Sequence, residues 1–143
     1  MATVAKIRRC RPDECALVLQ VWKEAGSMTS VTDTVEVLAR LLQMPATILL
    51  VAEHQGRLVG SIIAAFDGWR GNLYRLAVVP AYRRQGLARR LVKEAENFLI
   101  SQDAQRIGGL VAKSGPLAVA FWDSLDEDGY VRDESFVRYV KSS

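Results

Sequence analysis

The sequence predicts a mixed α/β fold, and three observations predict it. Hydrophobic periods of two and of about 3.6 residues succeed one another in the order β-α-α-β-β-β-α-β-α-β. Three consecutive strand patterns are joined by short turn sequences. The segment Leu76 to Ala88 runs from an apolar strand through a glycine turn into an amphipathic helix.

Val4 to Arg9 alternates apolar and charged residues, as a strand with one buried face does. Pro12, Asp13 and Glu14 make a favourable first helical turn, and Leu17, Val18, Val21, Trp22 and Ala25 give that helix a core face before Gly26 ends it. Asp33 with Glu36 three residues on reads as a capping box for a second helix that carries Val35, Leu38, Leu41 and Leu42 and stops near Pro45. Strands follow at Thr47 to Glu53, Leu58 to Phe66 and Asn72 to Val79, with His54-Gln55-Gly56-Arg57 and Asp67-Gly68-Trp69-Arg70-Gly71 as the turns. From about Gly86 to Ser101 a long helix places Leu87, Leu91, Ala95, Phe98 and Leu99 on one stripe and Arg89, Arg90, Lys93, Glu96 and Asn97 outward. Arg106 to Val111 is a fifth strand, Gly115 and Pro116 start a last helix through about Leu125, and Tyr130 to Tyr139 supplies terminal strand structure.

At 143 residues one domain, 1-143, is expected, with enough chain to bury a core. Half the residues are apolar and 24% are charged, the composition of an ordinary globular protein. No apolar run approaches the roughly 18 residues that span a bilayer, and MATVAKIRRCR lacks the apolar centre of a signal peptide, so a cytoplasmic protein without membrane partners is expected. Cys10 and Cys15 have no His or third Cys nearby to complete a metal site, so burial as small hydrophobes and no metal are expected. His54 beside a turn glycine reads as exposed and non-catalytic. The net charge of +3 concentrates at Lys6 to Arg11 and Arg83 to Arg90. The second cluster sits on the glycine turn, which favours a multiply phosphorylated ligand over nucleic acid.

That turn is an anion cradle in outline. A helix start leaves backbone N–H groups without intrahelical acceptors and carries the positive end of the helix dipole. Gly86 lets the backbone approach closely, Ala88 keeps the first turn open, and Arg83 and Arg84 add charge. The spacing Arg83-x-x-Gly86-x-Ala88, with Leu76-Ala77-Val78 and Pro80 before it and the long helix after it, resembles the pyrophosphate-binding motif (Gln/Arg)-x-x-Gly-x-(Gly/Ala) of the GNAT superfamily of N-acetyltransferases. The element order matches from about Val4 to Tyr139.

The resemblance implies a mostly antiparallel central sheet flanked by helices, with strands 4 and 5 splayed so that acetyl-CoA enters between them. It implies that Leu76, Ala77 and Val78 pair with the pantetheine arm, with the Val78 N–H on the thioester oxygen. The N–H groups of Arg84, Gln85, Gly86, Leu87 and Ala88 would hold the pyrophosphate. Family members with a carboxylate base carry Glu where Asn72 stands. Asn72 and Tyr74 either order a water chain, with Asp67 or a backbone carbonyl taking the proton, or are strand residues only. Trp122 stands where many members have the acidic Tyr, and its indole cannot release a proton. Either water or Tyr130 then protonates the thiolate, and packing is an equal role for Trp122. Ser114-Gly115 replaces the family's Asn before the last helix, so Ser114 inherits or loses a pantetheine contact. Asp67 and Arg70 either bind the acceptor or form a solvated turn, and Trp22 with Gly26 to Val31 borders the same pocket.

The function implied is transfer of acetyl from acetyl-CoA to an amine, of a small molecule or of a protein N-terminus or lysine, in a ternary complex. A homodimer is compatible with it. An acyl-CoA sensor that has lost transfer chemistry is the rival reading, ahead of a nucleic-acid-binding domain.

Overall fold

A strand covered on both faces is buried without alternation, and β3 (Arg57–Phe66) is such a strand, buried from Leu58 to Ala64. In the computed structural model, which describes residues 5–143, β3 is the centre of a five-stranded sheet in the order β1-β2-β3-β4-β5. Its partners are β1 (Lys6–Arg9), β2 (Thr47–His54), β4 (Gly71–Val78) and β5 (Ile107–Gly109). β1 to β4 pair antiparallel and β4 pairs parallel with β5. The sheet is thus mostly antiparallel, as the resemblance implies. Val4, the first residue of the expected first strand, lies outside the described residues.

Neighbouring residues on β3 identify the layers. A Cβ on Gly60 would lie 3.1 Å from Leu91 of α3 (Leu87–Ser101), whereas Ser61 accepts a hydrogen bond from Trp22 of α1 (Cys15–Ala25). Successive strand residues point to opposite faces, so α3 covers one face and α1 the other. Leu87, Leu91, Val92, Ala95 and Leu99 are the buried stripe of α3, and Val18, Val21 and Trp22 that of α1. Gly26 closes α1 in the left-handed conformation at φ 80°.

Two compact units make up the chain, one ending at Gly109 and the other spanning Leu110–Ser143. The second contains α4 (Pro116–Asp123), a 3-10 turn over Ser124–Asp128, and no strand among its described residues. The terminal strand expected at Tyr130 to Tyr139 is therefore not formed. Apolar residues here fall in adjacent pairs separated by the polar run Arg132 to Ser135 and so give no single apolar face, and Val131, Phe136, Val137 and Tyr139 stay exposed without a paired neighbour strand among the described residues. The last helix ends in α-form at Asp123 rather than at Leu125. β5 is shorter than Arg106 to Val111 because Gly108 and Gly109 offer little to hold a strand.

The second helix, α2 (Val35–Leu41), begins one residue later than the Asp33 capping box requires. Thr34 is the cap, its hydroxyl accepting from Val37 N–H at 3.2 Å, and Asp33 is engaged elsewhere. Cys10 and Cys15 are free and buried as expected, and burial pushes the Cys10 thiol up to about 12 and Cys15 in the same direction. His54 is half-buried rather than exposed, its Nδ1 2.8 Å from the Tyr82 hydroxyl.

β1, β2 and the start of α1 are tied by one charged cluster. Arg8 forks onto both carboxylate oxygens of the buried Glu14 at 2.8 Å and also donates to Glu53 of β2, while Arg11 N–H donates to Glu14 Oε1. The Arg8 fork holds the Glu14 carboxyl down to about 2, against an ordinary 4.5. Because the folded state binds its proton more weakly than the unfolded chain, the stabilisation is complete above pH 4.5 and is lost as the pH falls toward 2. Urea denaturation at pH 6 and pH 3 should differ by a contribution on the order of 2 kcal/mol from this residue. In Glu14→Gln that part of the pH dependence should vanish, and an unaltered pH profile would contradict the assignment.

Candidate active site

β4 ends at Val78, a 3-10 turn follows over Pro80–Tyr82, and α3 starts after Gly86. Between them Arg84 and Gly86 both adopt positive φ, 61° and 80°. Left-handed residues interleaved with ordinary ones turn successive N–H groups toward one concavity, a nest for an anion. Gly86 is the N-cap of α3 and has no side chain to satisfy the first-turn N–H groups. A Cβ there would meet nothing within 4 Å, so the space in front of the loop is open. Gln85 Oε1 is buried without a hydrogen-bond partner, which leaves the loop's own hydrogen bonding incomplete. A pyrophosphate fits this donor set, and Arg84, exposed, supplies charge.

Arg83 does something other than the charge donation expected of it. Its Nε donates to Val78 O at 3.0 Å and its Nη2 to Ala25 O at 2.9 Å. The guanidinium thus ties the end of β4 to the last turn of α1.

The edge of β4 that faces β5 is the second component. Val79 N–H bonds Val59 O, so Val59 and Val79 form a hydrogen-bonded pair and the next pair, Gly60 and Val78, is of the non-bonded kind. The Val78 N–H therefore points away from β3. On that side β5 pairs only with Gly71, Asn72 and Leu73. From Tyr74 to Val78 the far edge of β4 has no strand partner among the described residues, which is the expected parting of strands 4 and 5. Leu76, Ala77 and Val78 line this edge, and the Arg84–Ala88 cradle stands at its end.

A bulge lies in the middle of the open edge. Ser61 pairs with Ala77 and Ile63 with Tyr74, so Arg75 and Leu76 together oppose Ile62. Arg75 takes φ 54° there. Its carbonyl accepts from Ser61 Oγ at 3.0 Å, and Ser61, fully buried, accepts from Trp22 Nε1 at 2.8 Å. Its guanidinium lies 4.9 Å from the centre of the Trp22 ring, forks onto both oxygens of Asp33 at 2.8 Å, and donates to Met28 O. None of Arg75, Ser61 and Asp33 was expected in the site. The signal was present: Arg75 shares strand parity with the buried Leu73 and Ala77, a charge on the core face unless a bulge intervenes.

Asn72 is half-buried on β4 with Nδ2 3.4 Å from Arg70 O, and Tyr74 is partly exposed beside it. Asp67 caps its own turn: Oδ1 accepts the Arg70 and Trp69 N–H groups, Arg70 foremost, and these hold the carboxyl below the usual range. A carboxylate stabilised in this way is a weak base. Arg70 stacks over the exposed Trp69 ring at 4.2 Å. In the second unit, Ser114 is exposed before α4, and Trp122 packs edge-on against Phe121 and Tyr130 with centroids 5.9 and 5.4 Å away. That aromatic packing accounts for Trp122 without a proton-transfer role. No cluster of His, Cys, Asp or Glu among the described residues has the makings of a metal site, and no helix among them is long and apolar enough to cross a membrane.

The sequence profile of the acetyltransferase (GNAT) family matches residues 17–126, across all the elements from α1 to α4. The chain belongs to that family. GNAT membership makes it an acetyl-CoA-dependent acyltransferase. The chain is 29% identical over 121 residues to an acetyltransferase of Pectobacterium atrosepticum, covering 85% of this chain and 86% of that one. An acetyltransferase of Sodalis glossinidius is 31% identical over 121 residues, covering 85% of each. Among solved structures, an aminoglycoside N-acetyltransferase in complex with CoA superimposes with a TM-score of 0.79 at 15% identity, covering 100% of this chain and 98% of that one. At such low identity the likeness establishes the GNAT fold.

Gly86→Trp should lower acetyl-CoA affinity by at least a hundredfold in calorimetry while circular dichroism stays native, since the bulk enters the open space before the cradle and a Cβ strains the local φ of 80° that shapes the loop. Ser61→Ala should cost about 1–3 kcal/mol in chemical denaturation, because the buried Trp22 Nε1 and Arg75 O lose their shared partner.

Proposed function

We propose that the chain transfers the acetyl group of acetyl-CoA to a primary amine, of a small molecule or of a protein N-terminus or lysine, by direct transfer in a ternary complex. The observation that carries this reading is the alignment of the Arg84–Ala88 cradle with the Val78 N–H on the unpaired edge of β4. Acetyl-CoA supplies the activated acetyl as a thioester. The cradle N–H groups hold its pyrophosphate, and Leu76 and Ala77 pair with its pantetheine arm. Val78 N–H donates to the thioester oxygen, where negative charge grows as the amine attacks. The amine nitrogen bonds to the carbonyl carbon, the C–S bond breaks, and the thiolate takes a proton from water. A covalent route through cysteine is disfavoured, because Cys10 and Cys15 are buried and both thiols are pushed toward the protonated form.

The attacking amine must be neutral, and a free alkylamine has a pKa near 10.4. No carboxylate with an ordinary or raised pKa stands at Asn72 or in the Asp67 turn. Asn72 and Tyr74 order the water that carries the amine proton to solvent. The loop after α1 walls the acceptor side, with Arg70 at its rim, while Trp22, expected to border the pocket, is buried behind Arg75 and supports the wall from beneath. The aminoglycoside N-acetyltransferase of like fold makes polyamines natural first acceptors to test.

A second reading, an acyl-CoA sensor, draws on two observations: Asn72 in place of a base and a packed Trp122 in place of an acid. Thiol release from acetyl-CoA across amines and peptides, with calorimetry on the same sample, separates the two. Binding with acceptor-dependent release supports transfer, and binding with no release from any acceptor supports the sensor. With no general base in the site, log kcat/KM should rise with a slope near 1 from pH 6.5 to 9.5; a plateau near neutrality would reveal a base.

A further inference from the structure

Loops beside a binding site are held by whatever the rest of the fold offers them, and the segment between α1 and α2 is held by β4. This connection, residues 26–34, contains exposed Met28 and Val31 and no helix or strand. Its own bonds are local: Ser30 N–H to Asp33 Oδ2 at 3.0 Å, and Asp33 N–H to Ser30 O. Three contacts from Arg75 of β4 reach it, one to Met28 O and two to Asp33, all at 2.8 Å. Only 22% of the Arg75 side chain and 14% of the Asp33 side chain are exposed, so the fork is sheltered from solvent. A planar guanidinium matched to a carboxylate fixes orientation as well as distance.

Arg75 is itself fixed. The bulge that carries it is pinned through its carbonyl by Ser61, which Trp22 pins in turn, and the Trp22 ring lies under the guanidinium. One residue therefore joins the open edge of β4 to the loop at both backbone and side chain.

We propose that the Arg75–Asp33 pair is a latch that holds the α1–α2 loop as the acceptor wall, making Arg75 a positioning residue that sets acceptor affinity. This rests on reading the open edge of β4 as the site of transfer. Lysine in place of Arg75 keeps the charge but loses the fork, so charge alone does not supply the function. The latch does not touch the cradle, whose loop begins eight residues later at Arg83.

Hydrogen exchange read by mass spectrometry tests the latch without any acceptor. In Arg75→Met, which keeps the stem over Trp22, amides of residues 27–33 should exchange at least tenfold faster, with those of β2 and β3 unchanged. Asp33→Asn should give the same gain, and the double variant no more than either single one. Unchanged exchange in 27–33, or gains that multiply in the double variant, would overturn the latch. For each amine that the wild type acetylates, Asp33→Asn, which breaks the fork without altering the β4 edge, should raise the amine KM at least fivefold, with kcat and the acetyl-CoA dissociation constant within twofold. A fall in kcat or in acetyl-CoA affinity at unchanged amine KM would also overturn it. Amines that are all inert would count against the transfer reading alone, since hydrogen exchange still decides the latch.

Discussion

A strand inside a sheet normally spends both edges on its neighbours, and this fold depends on β4 keeping half of one edge back. Along β3 it is paired to its end, through Val59 and Val79. Along β5 it is paired for Gly71, Asn72 and Leu73 only. Backbone donors left unsatisfied are costly unless water or a ligand meets them, so the gap has a chemical meaning. It leaves the backbone donors and acceptors that a further strand would take open to an extended ligand, and it presents the Val78 N–H at a fixed place.

Everything around that edge serves to hold it still. α3 and α1 clamp the sheet from opposite faces, the first through Leu91 against Gly60, the second through Trp22 on Ser61. Arg83 ties the end of β4 to the last turn of α1. The Arg8, Glu14 and Glu53 cluster secures the other side of the sheet, where β1 and β2 meet the start of α1. Preorganised donors are effective because they need not rearrange when charge develops.

The local features of this arrangement were readable in the sequence and the non-local ones were not. A glycine at positive φ before an amphipathic helix is a matter of a few adjacent residues, so the left-handed turn at Gly86 into α3 was visible, as were the β2–β3–β4 meander and the stripe of α3. The Arg83 side chain was misread because its acceptors, Val78 O and Ala25 O, come together only in the folded chain. Asp33 looked like a helix cap by spacing, but Arg75, 42 residues away, competes for its carboxylate and Thr34 takes over the cap. The segment from Tyr130 to Tyr139 is rich in the Val, Phe and Tyr that favour strands and forms none, because pairing is decided by a partner and not by composition.

Trp22 and Trp69 stand in opposite surroundings: one is 4% exposed, with its N–H bonded to Ser61 and a guanidinium on its face, and the other is 73% exposed beneath Arg70. A dry, hydrogen-bonded indole emits at shorter wavelength than a wet one, and a nearby cation shifts that emission. The α1 side of the open β4 edge therefore carries its own fluorophore, spectrally apart from the one at the hairpin tip, and once Trp69 and Trp122 are replaced by Phe the colour of the emission is a readout of the wall without any label.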